Sequence, residues 1–197
     1  MDRAVRIIRS SDYRRMPWKN GGGETVEIAI SPAGASLDAF DWRISMAHVA
    51  SNGPFSGFPG VDRTLVVLAG GGIRLKLPGD AVVSLSEAAA PFAFSGDDPV
   101  DAELIDGPIQ DLNAMSRRTS HRHQLARIRS ARPVHLRREG ELLLVLVRDA
   151  AASARIGRRE HALAAGDTIV LSGEEEPELE IAPAAPLRLF AIDLRRA

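Results

Sequence analysis

Two continuous apolar runs, Thr64 to Ala69 and Leu142 to Val147, constrain this chain more than any other feature, because each reads as a strand covered on both faces. Gly70 to Gly72 closes the first. Around these runs the residues alternate. Val26, Ile28 and Ile30 interleave with Thr25, Glu27 and Ala29; Ile73, Leu75 and Leu77 follow at the same period, which is that of a half-buried strand. Val5 to Ile8, Asp41 to Val49, Ala81 to Leu85, Pro91 to Phe94, Ala102 to Ile105 and Leu187 to Leu194 complete a rhythm of short strands. MPWKNGGGE (16–24) reads as a loop, and Pro78-Gly79-Asp80 as a turn. The one short helix expected is at Ser86 to Ala90, since nothing longer than about three turns is amphipathic. Many short strands with Gly/Pro turns predict an all-β sandwich or barrel, and the recurrence of a buried run followed by a hairpin suggests an internal duplication. The turn at 78–80 lies nearer its buried run than AGD at 165–167 does, so the two are not equated.

Composition narrows the function classes. The 197 residues, 45% of them hydrophobic, suffice for one generous domain or two small ones, and a formal charge of -1 gives no global attraction to nucleic acid or an anionic membrane. The absence of cysteine excludes disulfides and thiolate chemistry. MDRAVRIIRS lacks the apolar core of a signal peptide and no apolar run approaches the roughly 20 residues needed to cross a bilayer. The expectation is a soluble cytoplasmic protein. Eight arginines and no acid between Leu112 and Arg138 are the one feature that points to nucleic acid. Without aromatic interleaving or a helix-turn-helix they read better as an arginine-decorated edge strand or linker, neutralised by the acidic stretch Glu174 to Glu180 in space or across a homodimer interface.

Candidate chemistry gathers between Asp41 and Gly72. The strand from Asp41 sets Trp42, Ile44, Met46 and His48 on one face and Arg43, Ser45 and Ala47 on the other, which is polar by design or by exposure. A loop with Phe55, Ser56 and Phe58 then leads to Asp62 and Arg63. Arg43 and Arg63 either clamp a small carboxylate, for which the guanidinium fork is well shaped, or each pair with Asp41, Asp62 or another acid on a barrel wall. Trp18, Phe55 and Phe58 either line a stacking surface or belong to the core, where Trp42 is placed outright. Lys19 and Asn20 either reach over a barrel mouth or form a solvated turn, and Asn113, at the end of its strand, offers its amide to a ligand or caps a turn. His121 and His123 have metal-ligand spacing but no following glutamate, and stand among arginines. No nucleophile motif is present, and Gly70 to Gly72 open no helix and so make no nucleotide loop.

The segments MPWKNGGGETVEI (16–28), FDWRISMAHV (40–49), GPFSGFPGVDRTLVVLAGGG (53–72), FSGDDPV (94–100) and DGPIQDLNAMSRR (106–118) together resemble the HutD/Ves family. That resemblance implies a bicupin: two jelly-roll-type barrels, the first at 1–118 with the pocket and the second at 119–197, with strands free to cross between them. It also implies a small-molecule-binding regulator of bacterial histidine utilisation rather than an enzyme of known reaction. A cupin holds its metal through G-x5-H-x-H-x3,4-E-x6-G, and counting back from Gly70 puts Arg63 at the glutamate and Ser56 and Phe58 at the histidines. No metal ligand survives, so no metal and no cofactor is expected, and a fixed positive charge takes the cation's place.

The leading expectation is therefore a metal-free cupin that binds a small anionic metabolite, an intermediate of histidine breakdown such as urocanate or formyl- or formiminoglutamate. The alternatives are a metal-independent isomerase or hydrolase using Lys19, Asp62 or His48, and a scaffold protein with no small ligand.

Overall fold

The computed structural model describes residues 5–18, 21–173 and 177–197, and folds as strands with two single-turn 3-10 segments, Ser10–Asp12 and Pro78–Asp80. In chain order the strands are β1 (Val5–Ile8), β2 (Arg14–Pro17), β3 (Gly23–Ser31), β4 (Trp42–Val49), β5 (Gly53–Pro54), β6 (Val61–Gly70), β7 (Ile73–Lys76), β8 (Val82–Leu85), β9 (Phe92–Ser95) and β10 (Asp101–Leu104). They continue as β11 (Ile109–Arg117), β12 (His121–Ser130), β13 (Val134–Arg137), β14 (Leu142–Arg148), β15 (Ala152–Ile156), β16 (Arg159–Leu163), β17 (Thr168–Ser172), β18 (Glu178–Pro183) and β19 (Leu187–Arg196). The all-β expectation holds. Ser86 to Ala90 is a turn closed by the Ala89 amide on the Ser86 carbonyl, not a helix, because five residues bounded by strands leave no room for a second turn. Arg14–Pro17, within and beside the expected loop, pairs with β3 as an edge strand, where Pro17 forfeits no interior ladder bond.

The chain divides into two compact units, Arg14–Arg122 with Ala197, and Met1–Tyr13 with His123–Arg196. The first strand, on the N-terminal side of the sequence-based boundary at 118/119, pairs in register with β17. Each unit holds two antiparallel sheets. In the unit around Arg14–Arg122 these run β2-β3-β4-β11-β6-β9 and β5-β10-β7-β8. The other unit's sheets run β1-β17-β14-β19-β12 and β13-β18-β15-β16. Adding eight to each label turns β4-β11-β6-β9 into β12-β19-β14-β17 and β5-β10-β7-β8 into β13-β18-β15-β16, so the duplication inferred from the apolar runs is a duplication of topology. This arrangement is the one expected of a bicupin. The turn at 78–80 joins β7 to β8 whereas 165–167 joins β16 to β17, so they are indeed different turns.

The two barrels differ in what fills them. In the C-terminal unit Leu143, Val145, Val147, Ile169, Leu171, Leu189 and Ala191 form a continuous apolar core with Ala154, Ile156 and Ile181. In the N-terminal unit a core of Val49, Leu65, Val67, Ile73, Leu75 and Ile109 occupies one part of the barrel, while Glu27, Arg43, Arg63, Asp111 and Asn113 are buried on the same β-sheet. Burying four ionisable groups costs free energy that an apolar filling avoids, and the twin barrel shows that the frame closes without them.

Candidate functional site

Antiparallel pairing brings the polar residues onto one face. Across β4 and β11, Ser45 stands opposite Asn113 and Arg43 opposite Met115, and across β11 and β6, Met115 faces Arg63 and Asn113 faces Leu65. On β9, Phe94 stands beside Arg63, and on β3, Glu27 beside Ser45. Two breaks in register lie at the acids themselves, one after Glu27 on β3 and one on β6 opposite the Gln110–Asp111 step of β11. An extra residue at each, Ile28 and Leu68, re-phases the strand, as bulges beside functional sites commonly do. The polar face of β4 is thus polar by design: Arg43 and Ser45 are 5% and 4% exposed.

Arg63 is the centre of the set. It is buried, its Nη2 donates to Asn113 Oδ1 at 3.0 Å and its Nη1 to the Ser56 carbonyl at 3.1 Å, while its Nε has no hydrogen-bond partner among the described residues. Its Cζ lies 4.9 Å from the ring centroid of Phe94, 5.2 Å from that of Phe55 and 5.4 Å from that of Phe58. Three ring faces around a guanidinium supply part of the attraction that water would have given it. Burial still lowers its pKa to about 10, with Asp111 acting to raise it and Arg43 to lower it. It remains a cation at neutral pH.

Asn113 connects Arg63 to an acid, Asp111, that the sequence analysis did not assign to the site. Its Nδ2 donates to Asp111 Oδ1 at 3.0 Å, so the amide accepts from the cation and donates to the carboxyl. Asp111 is 1% exposed, and burial raises its pKa to about 7 against the opposing pull of Arg63, Asn113 and the Ala47 backbone. Asn113 lies mid-strand rather than at a strand end, and its role is this relay rather than a turn cap.

Arg43 takes the pairing alternative, with Glu27 as the other acid on the barrel wall. Its Nε donates to Glu27 Oε2 at 2.7 Å within the barrel, not to Asp41 or Asp62. Asp62, one residue out of phase with Arg63, projects the other way and pairs with Arg118 at 2.7 Å, its side chain 47% exposed. His48 is likewise exposed on the outward face of β4. Ser56 contributes its carbonyl while the residue itself is exposed. Trp18 packs on the apolar core and donates from Nε1 to Thr25 Oγ1 at 2.8 Å, and Phe55 packs there too; Phe58 sits against Phe40 in an edge contact with centroids 6.0 Å apart. Core and cage are the same rings here. Lys19 and Asn20 lie outside the described residues.

The donor set does not fit a metal ion. At the position where cupins place a metal-ligating glutamate stands the buried cation Arg63, ringed by phenylalanines, and among the described residues no three His, Asp or Glu side chains converge as ligands.

Three arginines of the arginine-rich span bind protein partners. Arg117 donates to the carbonyls of Asp38 and Phe40, Arg118 binds Asp62 and Asp97, and Arg138 binds the carbonyls of Gly140 and Gly173. β12 ends the order of its sheet, as an arginine-decorated edge strand would. Of the acidic stretch, Glu178 and Glu180 face Arg137 and His135 across β13 and β18. These residues and Arg155 line an open concavity of about 550 Å³ on the C-terminal unit's smaller sheet. Its charges already pair with one another, which makes it a solvated ionic face rather than a prepared site. No helix among the described residues is long and apolar enough to cross a membrane.

Comparison with known proteins agrees with this frame. The HutD family model matches residues 10–188. The chain belongs to the HutD family. An uncharacterised 21.2 kDa protein from the hutC 3' region of Pseudomonas putida is 45% identical over 109 residues, covering 55% of this chain and 56% of that protein. The match therefore spans about half of that relative. Among solved structures, a conserved protein of unknown function from Pseudomonas aeruginosa PAO1 superposes with a TM-score of 0.89 at 36% identity, covering 97% of this chain and 98% of that one. HutD from Pseudomonas fluorescens SBW25 does so with a TM-score of 0.78 at 32% identity, covering 98% and 99%. Bacillus subtilis oxalate decarboxylase, at 8% identity and a TM-score of 0.68 over 95% of this chain and 76% of that one, shares the cupin fold alone.

Proposed function

We propose that this HutD-family cupin binds a small carboxylate metabolite in its N-terminal barrel and thereby modulates histidine utilisation. Urocanate and formyl- or formiminoglutamate are the candidate ligands. The observation that carries the reading is the unpartnered Nε of a buried, permanently charged Arg63 inside a ring of three phenylalanines. An N–H buried without an acceptor costs about 1–3 kcal/mol, and a carboxylate oxygen recovers it with a charge-assisted bond. The rings suit the flat π-system of an unsaturated acid. One cation, not two, does the recognising, since Arg43 already has its counter-charge in Glu27. The pathway comes from family membership and from the hut-region location in the name of the Pseudomonas putida relative.

The test is a thermal-shift and calorimetric panel of these acids at millimolar concentration, in which a ligand raises the melting temperature by mass action. Arg63→Met, which keeps the apolar stem against the rings, should weaken binding roughly 10- to 100-fold, the value of one charged hydrogen bond. No shift with any acid, or equal shifts in the variant, would overturn the reading.

A further inference from the structure

The N-terminal barrel balances its charge internally. Its buried carboxyls and guanidiniums are Glu27, Arg43, Arg63 and Asp111, two acids and two bases. Glu27 and Arg43 cancel at 2.7 Å. Arg63 and Asp111 do not touch; Asn113 stands between them at 3.0 Å from each. An ionised Asp111 is thus the resident counter-ion of the cation assigned to the ligand. If an anion docks on Arg63 while Asp111 stays ionised, two negative charges share one guanidinium in a medium where charges are poorly screened.

No other group offers a cheaper way out. On β4 the residues sharing the face are Arg43, Ser45, Ala47 and Val49, and on β6 they are Arg63, Leu65 and Val67. On β3, Glu27 is committed to Arg43 and Thr25 to Trp18. From the smaller sheet, Ile73, Leu75, Leu85 and Ala102 close the barrel with apolar surface, and Phe92 and Phe94 do so from β9. Among the described residues, the groups able to change charge around Arg63 are therefore Asp111 and the tightly paired Glu27.

We propose that Asp111 is a proton-exchanging counter-ion of the anion site, so that a carboxylate entering beside Arg63 is accompanied by transfer of one proton from solvent to the Asp111 carboxyl. The inference rests on the anion-site reading above and adds what that reading lacks, a built-in dependence of affinity on pH. The balance is complete: one anion and one proton enter, the barrel's net charge is unchanged, and no covalent bond beyond the O–H on Asp111 is made. The raised pKa of Asp111, about 7, brings the exchange into the physiological range. Asn113 adapts without moving, since it donates to either form of the carboxyl and goes on accepting from Arg63.

Calorimetric titration of the full-length protein with urocanate, at each pH in two non-phosphate buffers of different ionisation enthalpy, reads protons taken up per ligand from the difference in apparent heat. Uptake should approach one at pH 8.5 and fall towards zero at pH 5.5, and affinity should drop up to tenfold per pH unit above neutrality. Asp111→Asn should bind with no uptake and a flat pH profile. A readout that needs no variant is the difference infrared spectrum at pH 8.5, where the ligand should bring in a protonated-carboxyl C=O band from isotope-labelled protein. Binding without proton uptake, uptake that survives in Asp111→Asn, or no such band would overturn the inference and leave the anion site standing. Failure of every acid in the panel to bind would remove both.

Discussion

Arg43 donates from Nε to Glu27 Oε2 at 2.7 Å with the two side chains 7% and 9% exposed. Although β3 and β4 are neighbours, these two are not register partners: Glu27 stands opposite Ser45 and Arg43 opposite Ile30, and the bulge after Glu27 lets the carboxylate reach the guanidinium. The pair holds the phase of two strands whose opposite face is also buried. Removing one member strands a charge, at a cost of about 3–5 kcal/mol, whereas replacing both with apolar groups of similar volume is close to neutral. Glu27→Ala should therefore lower the urea-unfolding free energy by about that amount, and Glu27→Leu/Arg43→Met should recover most of it. Equal losses in the single and double variants would show that the pair is incidental.

The aromatic cage is the next quantity to measure. Phe94 is the ring nearest Arg63 and stacks on Phe92 with centroids 5.9 Å apart. A desolvated cation–π contact is worth about 2 kcal/mol. In a double-mutant cycle between Arg63→Met and Phe94→Leu, a coupling energy of about 1–2 kcal/mol in chemical denaturation is expected. Additive effects would mean that the rings serve only as core.

Asp62 stands next to Arg63 in sequence and away from it in space. Its partner is Arg118, in an exposed cluster with Asp97. Asp62→Ala should leave carboxylate affinity unchanged in titration calorimetry, while Asn113→Ala, which removes the acceptor of Arg63 Nη2, should weaken it more than tenfold. The reverse order would place the site on the outer face of β6.

These contrasts mark what the sequence made legible. Alternation and continuous apolar runs report burial directly, so β3, β4, β6, β14 and β19 and their duplication could be read from spacing. Short strands that form only because a neighbour offers a ladder, such as β2, β5 and β13, have no periodicity to report. Arg63 was found because the cupin spacing has a numbered place for it. Glu27 lies at a bulge on its own strand, where counting by twos breaks down, and looked like the solvent side of an alternating strand. The Asp111, Asn113, Met115 alternation was the one available signal, since two polar residues on the face of a buried central strand require partners. Asp62 was misplaced for the converse reason: adjacency along a strand means opposite faces.

A close backbone approach at the base of the Trp18 turn gives a prediction of another kind. The Trp18 amide donates to the Gly23 carbonyl at 2.9 Å, and a Cβ on Gly23 would overlap the His48 carbonyl and press on the Trp18 ring at 3.0 Å. The obstacle on one side is backbone in the middle of the barrel sheet, so it cannot swing aside. Gly23→Ala should cost about 1–3 kcal/mol by the overpacking mechanism, seen as a fall in melting temperature, with Trp18 fluorescence shifted to the red as the indole loses its place over Thr25. An unchanged spectrum and melting point would show that the β3–β4 approach is looser than the structure has it.

The pH dependence of stability isolates Asp111 even without a ligand. Its carboxyl titrates near 7 in the folded protein and near 3.8 when unfolded, because burial disfavours the charged form. Between those values the folded state keeps a proton that the unfolded state has released, so stability falls as pH rises from about 4 to about 7 and levels off above. The exposed acids act in the opposite sense. Asp97 is held down to about 2 by the Gly60 amide, Arg118 and Ser95, and Asp149 and Glu103 are lowered by basic partners. Their contributions are present above the ordinary carboxylate range and disappear on acidification below about 4, outside the Asp111 window. Asp111→Asn has no proton to exchange, so its stability relative to the native protein should rise by a few kcal/mol between pH 4.5 and pH 7.5, at about 1.4 kcal/mol per pH unit where the slope is steepest. Chemical denaturation of both proteins across that interval measures the difference directly, and a difference that stays level would mean that the carboxyl is ionised throughout, leaving Arg63 permanently neutralised.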